Sequence, residues 1–365
     1  MNKNFATVEG TKKFAGRFPG AASGHFRAAR GLTVSSIGIG TYLGNWDAQT
    51  DANYVEAIVK FAESGGNVID TAANYRFQRS ERNIGEALEK LREKDFSRDE
   101  FLICTKGGYL PFDGEPPRSV REYFEKNFVR KGIADFADLV GGSHCMTPKY
   151  LESQIDRSLS NMRIEGIDVF YIHNPESQLA EIDRYTFEAR LAKAFEKLEE
   201  IRAGGKIQFY GAATWNGFRA APDEASYHSL ERMVNVARQV GGENHGFRFV
   251  QLPFNLAMPE AYLLRNQAVG GRAFSTIDAA RELGVSVMVS ASILQGKLAR
   301  NLTENMRATF GNLETDAQTS IQFVRSTPNV TTALVGVSKA RHAEENLALA
   351  SVEPVSEEIY AHLFS

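Results

Sequence analysis

Eight short apolar runs alternate with stretches of helical periodicity along a chain of 365 residues. The runs fall at 33–41, 67–70, 101–106, 167–173, 206–212, 249–252, 285–290 and 331–336. Most end in a glycine, a turn residue or a charged side chain. Between them, apolar residues recur at helical spacing, as in Val55, Ile58, Val59 and Ala62, or Leu151, Ile155, Leu159 and Met162. The second series follows Thr147-Pro148, with proline at the first helical position. A helix through 191–201 stops at Gly204-Gly205. Further helices are predicted at 53–64, 80–91, 230–240, 277–283, 321–326 and 341–350. Strand–helix alternation predicts a parallel sheet with crossover helices, and eight units predict closure into a (β/α)8 TIM barrel. An open doubly wound sheet is the alternative. It would carry Gly-x-Gly-x-x-Gly after the first strand, but Leu43 holds the third glycine's place and Gly44 comes one residue late.

The cycle is interrupted once. Residues 107–146 are rich in glycine, proline and charge, with scattered aromatics, and read as a loop excursion that walls or covers a pocket. The expected organisation is an N-terminal arm at 1–30 and one barrel domain at 31–365. The arm holds Lys3, Lys12, Lys13, Arg17, Arg27 and Arg30 against one acid, Glu9. It has no apolar core, so it does not read as a secretory signal. A loosely docked arm is the expectation, a transit segment the alternative. Net charge is −3, which gives no overall field for nucleic acid or an anionic membrane. No apolar run is long enough to span a bilayer. Cys104 and Cys145 are far apart, which speaks against a disulfide framework or a metal site and for a reducing compartment such as the cytoplasm.

The strand ends supply polar groups. Asp70 closes the second run, Tyr75 follows within five residues, Lys106 closes the third and His173 the fourth. In a barrel all four emerge on one face. Each has a structural reading too: a turn aspartate, a loop tyrosine, a solvated strand end, a turn histidine. Together they form a coherent acid. A phenol near pKa ~10 is too weak an acid at neutral pH, and an adjacent ammonium is expected to lower that value. Asp70 would hold the lysine, and His173 would orient a substrate oxygen. Ser80 is expected to cap the next helix. Such a group suits proton donation to an oxygen that is gaining charge, as in carbonyl reduction. The hydride must then come from a cofactor. Gly336-Val337-Ser338-Lys339-Ala340-Arg341-His342 offers a glycine turn, a helix start and basic side chains suited to a phosphate.

With these residues in place, the chain resembles the aldo-keto reductases from about Thr33 to Leu349. Asp70, Tyr75, Lys106 and His173 match that family's Asp–Tyr–Lys–His tetrad in order and strand position. Gly40-Thr41, His173-Asn174-Pro175-Glu176, Gly205-Lys206-Ile207 through Gly211, and Gln251-Leu252-Pro253-Phe254-Asn255 resemble its other motifs. The resemblance implies NADPH, with NADH as the alternative. It implies that Gln251 and Thr214 hold the nicotinamide carboxamide. Ser292, Leu294, Gly296 and Lys297 would lie along the pyrophosphate. Gly336, Ser338, Lys339, His342, Glu345 and Asn346 would surround the adenosine and its 2′-phosphate. Ala213-Thr214 stands where the family often has Ser-Asn, and Ala291 where it often has an aromatic. Lys339 and Arg341 favour a 2′-phosphate by charge. The expected substrate is a small carbonyl compound or sugar, met by Tyr42, Trp46, Tyr75, His173 and Trp215. Arg76 and Arg79 are either pocket cations or, with Arg82, a solvated helix face. Two rivals stand beside this reading: a Schiff-base aldolase using Lys106, and a cofactor-binding accessory protein without turnover.

Overall fold

The computed structural model describes residues 4–364. Eight parallel strands close into a barrel: β1 (Ile37–Gly40), β2 (Val68–Asp70), β3 (Leu102–Gly107), β4 (Ile167–His173), β5 (Ile207–Ala213), β6 (Phe247–Pro253), β7 (Ser286–Ser290) and β8 (Val330–Gly336). They run in chain order around the ring, and β8 pairs with β1 to close it. The helices between them are α1 (Ala48–Glu63), α2 (Arg79–Glu93), α3 (Pro148–Met162), α4 (Arg184–Ala203), α5 (Leu230–Gly241), α6 (Thr276–Glu282), α7 (Asp316–Ser326) and α8 (Ala340–Leu347). Each turns its apolar stripe to the sheet. Val55, Ile58 and Ala62 of α1 and Leu151, Ile155 and Met162 of α3 are fully buried. The close approach of β5 to β6 requires glycine at 211, where a Cβ would collide with the Phe249 carbonyl oxygen.

The first apolar run is two strands, not one. Leu32–Ser35 pairs antiparallel with Phe26–Ala29, and only Ile37–Gly40 joins the barrel. Ser36 marks the break: its N–H donates to the His25 carbonyl at 2.6 Å. The hairpin seals the barrel floor. Ala29, Leu32 and Val34 pack against Val68, Leu102, Val169, Phe249 and Leu334 from the barrel interior.

The N-terminal segment is not loosely docked. A helix at Val8–Gly16 buries Phe14, whose ring meets Phe18, Phe26, Phe96 and Phe101 at 5.3–6.2 Å. Burying one such ring stabilises by about 1.5–3 kcal/mol. Lys13 and Arg17 close on the buried Glu100 at 2.8 and 2.9 Å, so two of the basic residues are engaged with one carboxylate. Residues 1–3, with Lys3 among them, lie outside the described residues.

The 107–146 excursion is ordered and has its own small core of Leu110, Phe124, Phe128, Ala134 and Cys145, closed by Tyr150 of α3. It leaves β3 and returns beside it, with Tyr109 and Val140 bridged to His144. A hairpin at Gln267–Val269 and Arg272–Phe274 and short helices at Glu260–Leu263, Glu304–Thr309 and Glu357–Ala361 decorate the cycle. No helix among the described residues is long and apolar enough to cross a membrane.

Candidate active site

The C-terminal ends of the strands open onto one cavity of about 840 Å³. Asp70 ends β2, Lys106 lies in β3 and His173 ends β4, so three neighbouring strands deliver three of the four candidate groups. Lys106 is buried behind the cavity wall. Its Nζ donates to Asp70 Oδ2 at 2.6 Å and to the Thr71 carbonyl at 2.7 Å. Gln251, from β6 across the barrel, donates to Asp70 Oδ1 at 2.8 Å. Both carboxylate oxygens are therefore held. The lysine ammonium sits 5.0 Å from the centroid of the Tyr75 ring. His173 stands edge-on to that ring at 5.8 Å, and Tyr42 at 5.0 Å.

The charges follow from these contacts. Burial alone would lower the Lys106 ammonium, but Asp70 and Tyr75 outweigh it and hold the amine above its ordinary value. Burial pushes the Asp70 carboxyl up, opposed by Lys106 and Gln251. At 2.6 Å the pair is ionised. The phenol departs from expectation. Burial raises Tyr75, and Lys106 offsets only part of that, with Asp70 adding to the rise. The ammonium does not bring the resting phenol below its ordinary value, and the group stays neutral at physiological pH. His173 is held well below its ordinary value, first by burial and then by Lys106 and His144. It is a neutral imidazole, and its buried Nδ1 has no hydrogen-bond partner among the described residues.

Two residues that sequence reasoning missed complete this end. Tyr109, just beyond β3, lines the cavity and meets the His173 ring at 5.1 Å. Its hydroxyl bonds Ser177 Oγ at 2.8 Å. His144, from the far end of the excursion, bonds the His173 carbonyl at 2.7 Å through Nε2 and the Gln178 amide at 2.8 Å through Nδ1. Those partners assign Nε2 as its protonated nitrogen. Burial lowers its pKa to about 4. The sequence signal for Tyr109 is its place three residues after Lys106; His144 gives none.

Of the other candidates, Gly40, Thr41, Tyr42, Thr214, Trp215, Gln251, Ser292, Gly296, Gly336, His342, Glu345 and Asn346 line the same cavity. Leu294, Lys297, Ser338, Lys339 and Trp46 do not. Trp46 lies against Phe77 at 5.1 Å instead. Ser80 is inside α2 rather than capping it, and its hydroxyl donates to the Thr41 carbonyl at 2.7 Å. Gln78 takes the cap position.

None of Arg76, Arg79 and Arg82 lines the pocket, and only Arg82 keeps a solvent-exposed side chain. Arg76 is buried and bonded to Asp51 at 2.6 Å; Arg79 reaches the same carboxylate at 2.7 Å, and Arg82 pairs with Asp113 at 2.6 Å. The reason is the acid on α1 and the excursion, neither of which helical periodicity brings near α2.

The cavity fits a nicotinamide dinucleotide on two grounds. Thr214 Oγ1 is buried without a partner among the described residues, beside Gln251, whose carbonyl accepts the Thr214 N–H at 2.9 Å. The Gln251 amide nitrogen is committed to Asp70, which leaves its side-chain oxygen and the Thr214 hydroxyl for a carboxamide. At the other end, α8 begins at Lys339 without a side-chain cap, so its first N–H groups are open to an anion.

Comparison with known proteins defines the class. The sequence model of the Aldo/keto reductase family matches residues 36–238. The chain belongs to that family of oxidoreductases. It is 27% identical over 186 residues to the D-threo-aldose 1-dehydrogenase of Pseudomonas sp, covering 50% of this chain and 51% of that protein. It is 26% identical over 190 residues to the NADH-specific methylglyoxal reductase of Escherichia coli (strain K12), covering 50% and 49%. The match thus spans about half the length of these relatives. Among solved structures, an aldo/keto reductase from Klebsiella pneumoniae in complex with NADP and acetate superposes with a TM-score of 0.62 at 17% identity, covering 94% of each chain. The glycerol dehydrogenase of Gluconobacter oxydans gives 0.63 at 17%, again covering 94% of each. These likenesses show the shared barrel.

Proposed function

We propose that the chain transfers hydride between a nicotinamide cofactor and a small carbonyl or alcohol substrate, with Tyr75 as the proton donor. The observation that carries this is the Asp70–Lys106 ion pair set beneath the Tyr75 ring, with neutral His173 beside it. In reduction, Tyr75 gives its proton to the substrate oxygen as charge builds there. Lys106 stabilises the phenolate left behind, and Asp70, itself fixed by Gln251, keeps the ammonium in place. His173, with its unpartnered ring nitrogen, orients the oxygen. In oxidation the same groups act in reverse. A bound nicotinamide supplies or takes up the hydride. A Schiff-base role for Lys106 needs a neutral amine, and its 2.6 Å contact with Asp70 opposes that.

For the cofactor we favour NADPH. Lys339 and Arg341 are exposed close in sequence to His342, which lines the far end of the cavity, and neither enters an ion pair among the described residues. That leaves two cations for a 2′-phosphate. Thr214 and Gln251 would hold the carboxamide, Ser292 and Gly296 the pyrophosphate, and Gly336, His342, Glu345 and Asn346 the adenosine, with Gly40 and Thr41 also lining the cofactor's cavity. For the substrate, Tyr42, Tyr109 and Trp215 give aromatic walls, and Asn74 and Asn174 give neutral amides. Arg76 and Arg79 are sequestered, so the mouth suits a neutral aldehyde, ketone or sugar better than an anionic one. Both cysteines are free and buried, which suits a reducing compartment such as the cytoplasm.

Absorbance of NADPH, followed with a panel of aldehydes, ketones and sugars in both directions, tests the reading. Turnover with at least one neutral carbonyl compound is expected. Saturable NADPH binding without turnover on any of them would favour an accessory role instead.

A further inference from the structure

Directly after Tyr75 the backbone adopts a conformation that side chains oppose. Arg76, Phe77 and Gln78 have φ of 46°, 57° and 69°, and none is glycine. For a residue with a Cβ, this left-handed region crowds the Cβ against the carbonyl that follows. Three in a row do not persist unless the surroundings over-determine them.

The surroundings do. Arg76 commits its whole guanidinium to anchoring the turn. Its Nε donates to the Asn45 carbonyl at 2.8 Å, Nη1 to Asn83 Oδ1 at 2.7 Å and Nη2 to Asp51 Oδ1 at 2.6 Å. The same group lies 4.8 Å from the Tyr54 ring centroid. Gln78 donates to the carbonyls of Pro111 and Phe112 at 2.8 and 3.1 Å, and its own oxygen accepts from Asn161 at 3.1 Å. The Phe77 carbonyl accepts from the Gly114 N–H at 2.9 Å. Anchors therefore come from the loop after β1, from helices α1, α2 and α3, and from the start of the excursion.

We propose that Arg76 and Gln78 are positioning residues for the proton donor. Together with residues 111–114 of the excursion they lock a strained left-handed turn, and that turn sets where the Tyr75 hydroxyl stands against Lys106 and His173. The inference rests on the reading of Tyr75 as the acid. It also gives the excursion a second role at the site: besides supplying a wall, it grips the turn from outside. Relaxation of residue 76 into the right-handed region redirects the chain at the residue next to Tyr75. A displacement of about 1 Å at a reacting group is enough to lower turnover by about 10²-fold.

Paired substitutions separate this from a merely structural role. Glycine takes the left-handed region without steric opposition, and alanine does not. Arg76→Ala removes the three guanidinium anchors and keeps the strain at residue 76; Arg76→Gly removes the same anchors and relieves that strain. The expected result is a kcat about 10²-fold lower in Arg76→Ala, with KM for NADPH within about twofold and the midpoint of thermal unfolding recorded for both proteins. Arg76→Gly is expected to recover about tenfold or more of that loss. Equal kcat in the two variants, whether both low or both at wild type, overturns the proposal. If either fails to fold, Gln78→Ala against Gln78→Gly is judged by the same criterion. Tyr75→Phe is the control on the underlying reading: full turnover there removes the acid itself. An inactive Tyr75→Phe beside indistinguishable alanine and glycine variants removes only the positioning role.

Discussion

The two ends of the cavity are built on different principles. At the β2–β4 end the polar groups sit on or just past strands and are locked by short contacts: Lys106 on Asp70, Gln251 on Asp70, His144 on the His173 carbonyl. At the β7–β8 end the candidates sit on loops and a short helix, where Lys297, Lys339 and Arg341 are exposed and Glu345 accepts from Thr315 Oγ1 at 2.9 Å. A rigid end suits chemistry, which tolerates little displacement. An exposed end suits binding of a charged, extended molecule, which tolerates more. Substitutions at the first end should therefore change kcat and stability, and at the second affinity alone.

The largest expected effect is at Lys106. Lys106→Met leaves Asp70 buried without its charge partner, and loss of one member of a buried pair costs about 3–5 kcal/mol. Chemical denaturation should show a loss of that size, with turnover abolished. Lys339→Met should leave the denaturation curve unchanged. If both variants unfold alike, the contrast between the ends is wrong.

Next is acidity. Because burial holds the Tyr75 phenol above its ordinary value, it stays protonated through neutral pH. The rate of reduction should not fall on this group's account until pH exceeds about 10, its ordinary value. Oxidation, which needs the phenolate, should accelerate as pH rises. A pH–rate profile in both directions checks this, and reduction failing near pH 7 would count against the phenol.

Stability should also depend on pH. His25 and His144 are held down to about 4 and His228 to about 3, chiefly by burial. Unfolded histidines take up protons near pH ~6.5. Below that value the unfolded chain binds more protons, so stability is full above about 6.5 and declines as pH falls toward about 4. Thermal unfolding at about pH 7.5 and about pH 5 should differ accordingly. A His144→Gln protein should show a smaller difference, because one of these buried groups, the one at the rigid end, no longer titrates.

The smallest effects belong to the proposed cofactor contacts. Thr214→Val removes a buried hydroxyl that has no partner among the described residues. Its loss should weaken NADPH by about tenfold, about one hydrogen bond's worth, without loss of stability. Lys339→Ala should weaken NADPH severalfold and leave NADH unaffected, a difference read by cofactor fluorescence. Equal losses for both cofactors would remove the 2′-phosphate role.

Much of the barrel was legible because its strands are short, apolar and punctuated. Ile167–His173 stands out by composition alone and is the fourth strand end to end. The first run failed because a hairpin strand and a barrel strand abut with only Ser36 between them, and nothing in their hydrophobicity distinguishes the barrel floor from its wall. The N-terminal helix was masked by its basic residues; Phe14 and its four aromatic neighbours decide its docking. Strand ends gather at one face by geometry, so the convergence of Asp70, Lys106 and His173 was readable from position. The roles of Tyr109 and His144 depend on how the excursion folds back, and no periodicity reports that. The buried role of Arg76 was not legible, as a pocket cation or a solvated residue, because its partners, Asn45, Asp51 and Asn83, come from three separate elements.

The central claim is that the Tyr75 phenol, set over the Lys106–Asp70 pair, gives up the proton. Its most direct test is kcat of Tyr75→Phe under saturating NADPH and substrate, with cofactor affinity measured on the same protein. The account predicts a loss of about 10²–10⁴-fold with NADPH affinity within about twofold. Wild-type kcat in that protein would contradict it.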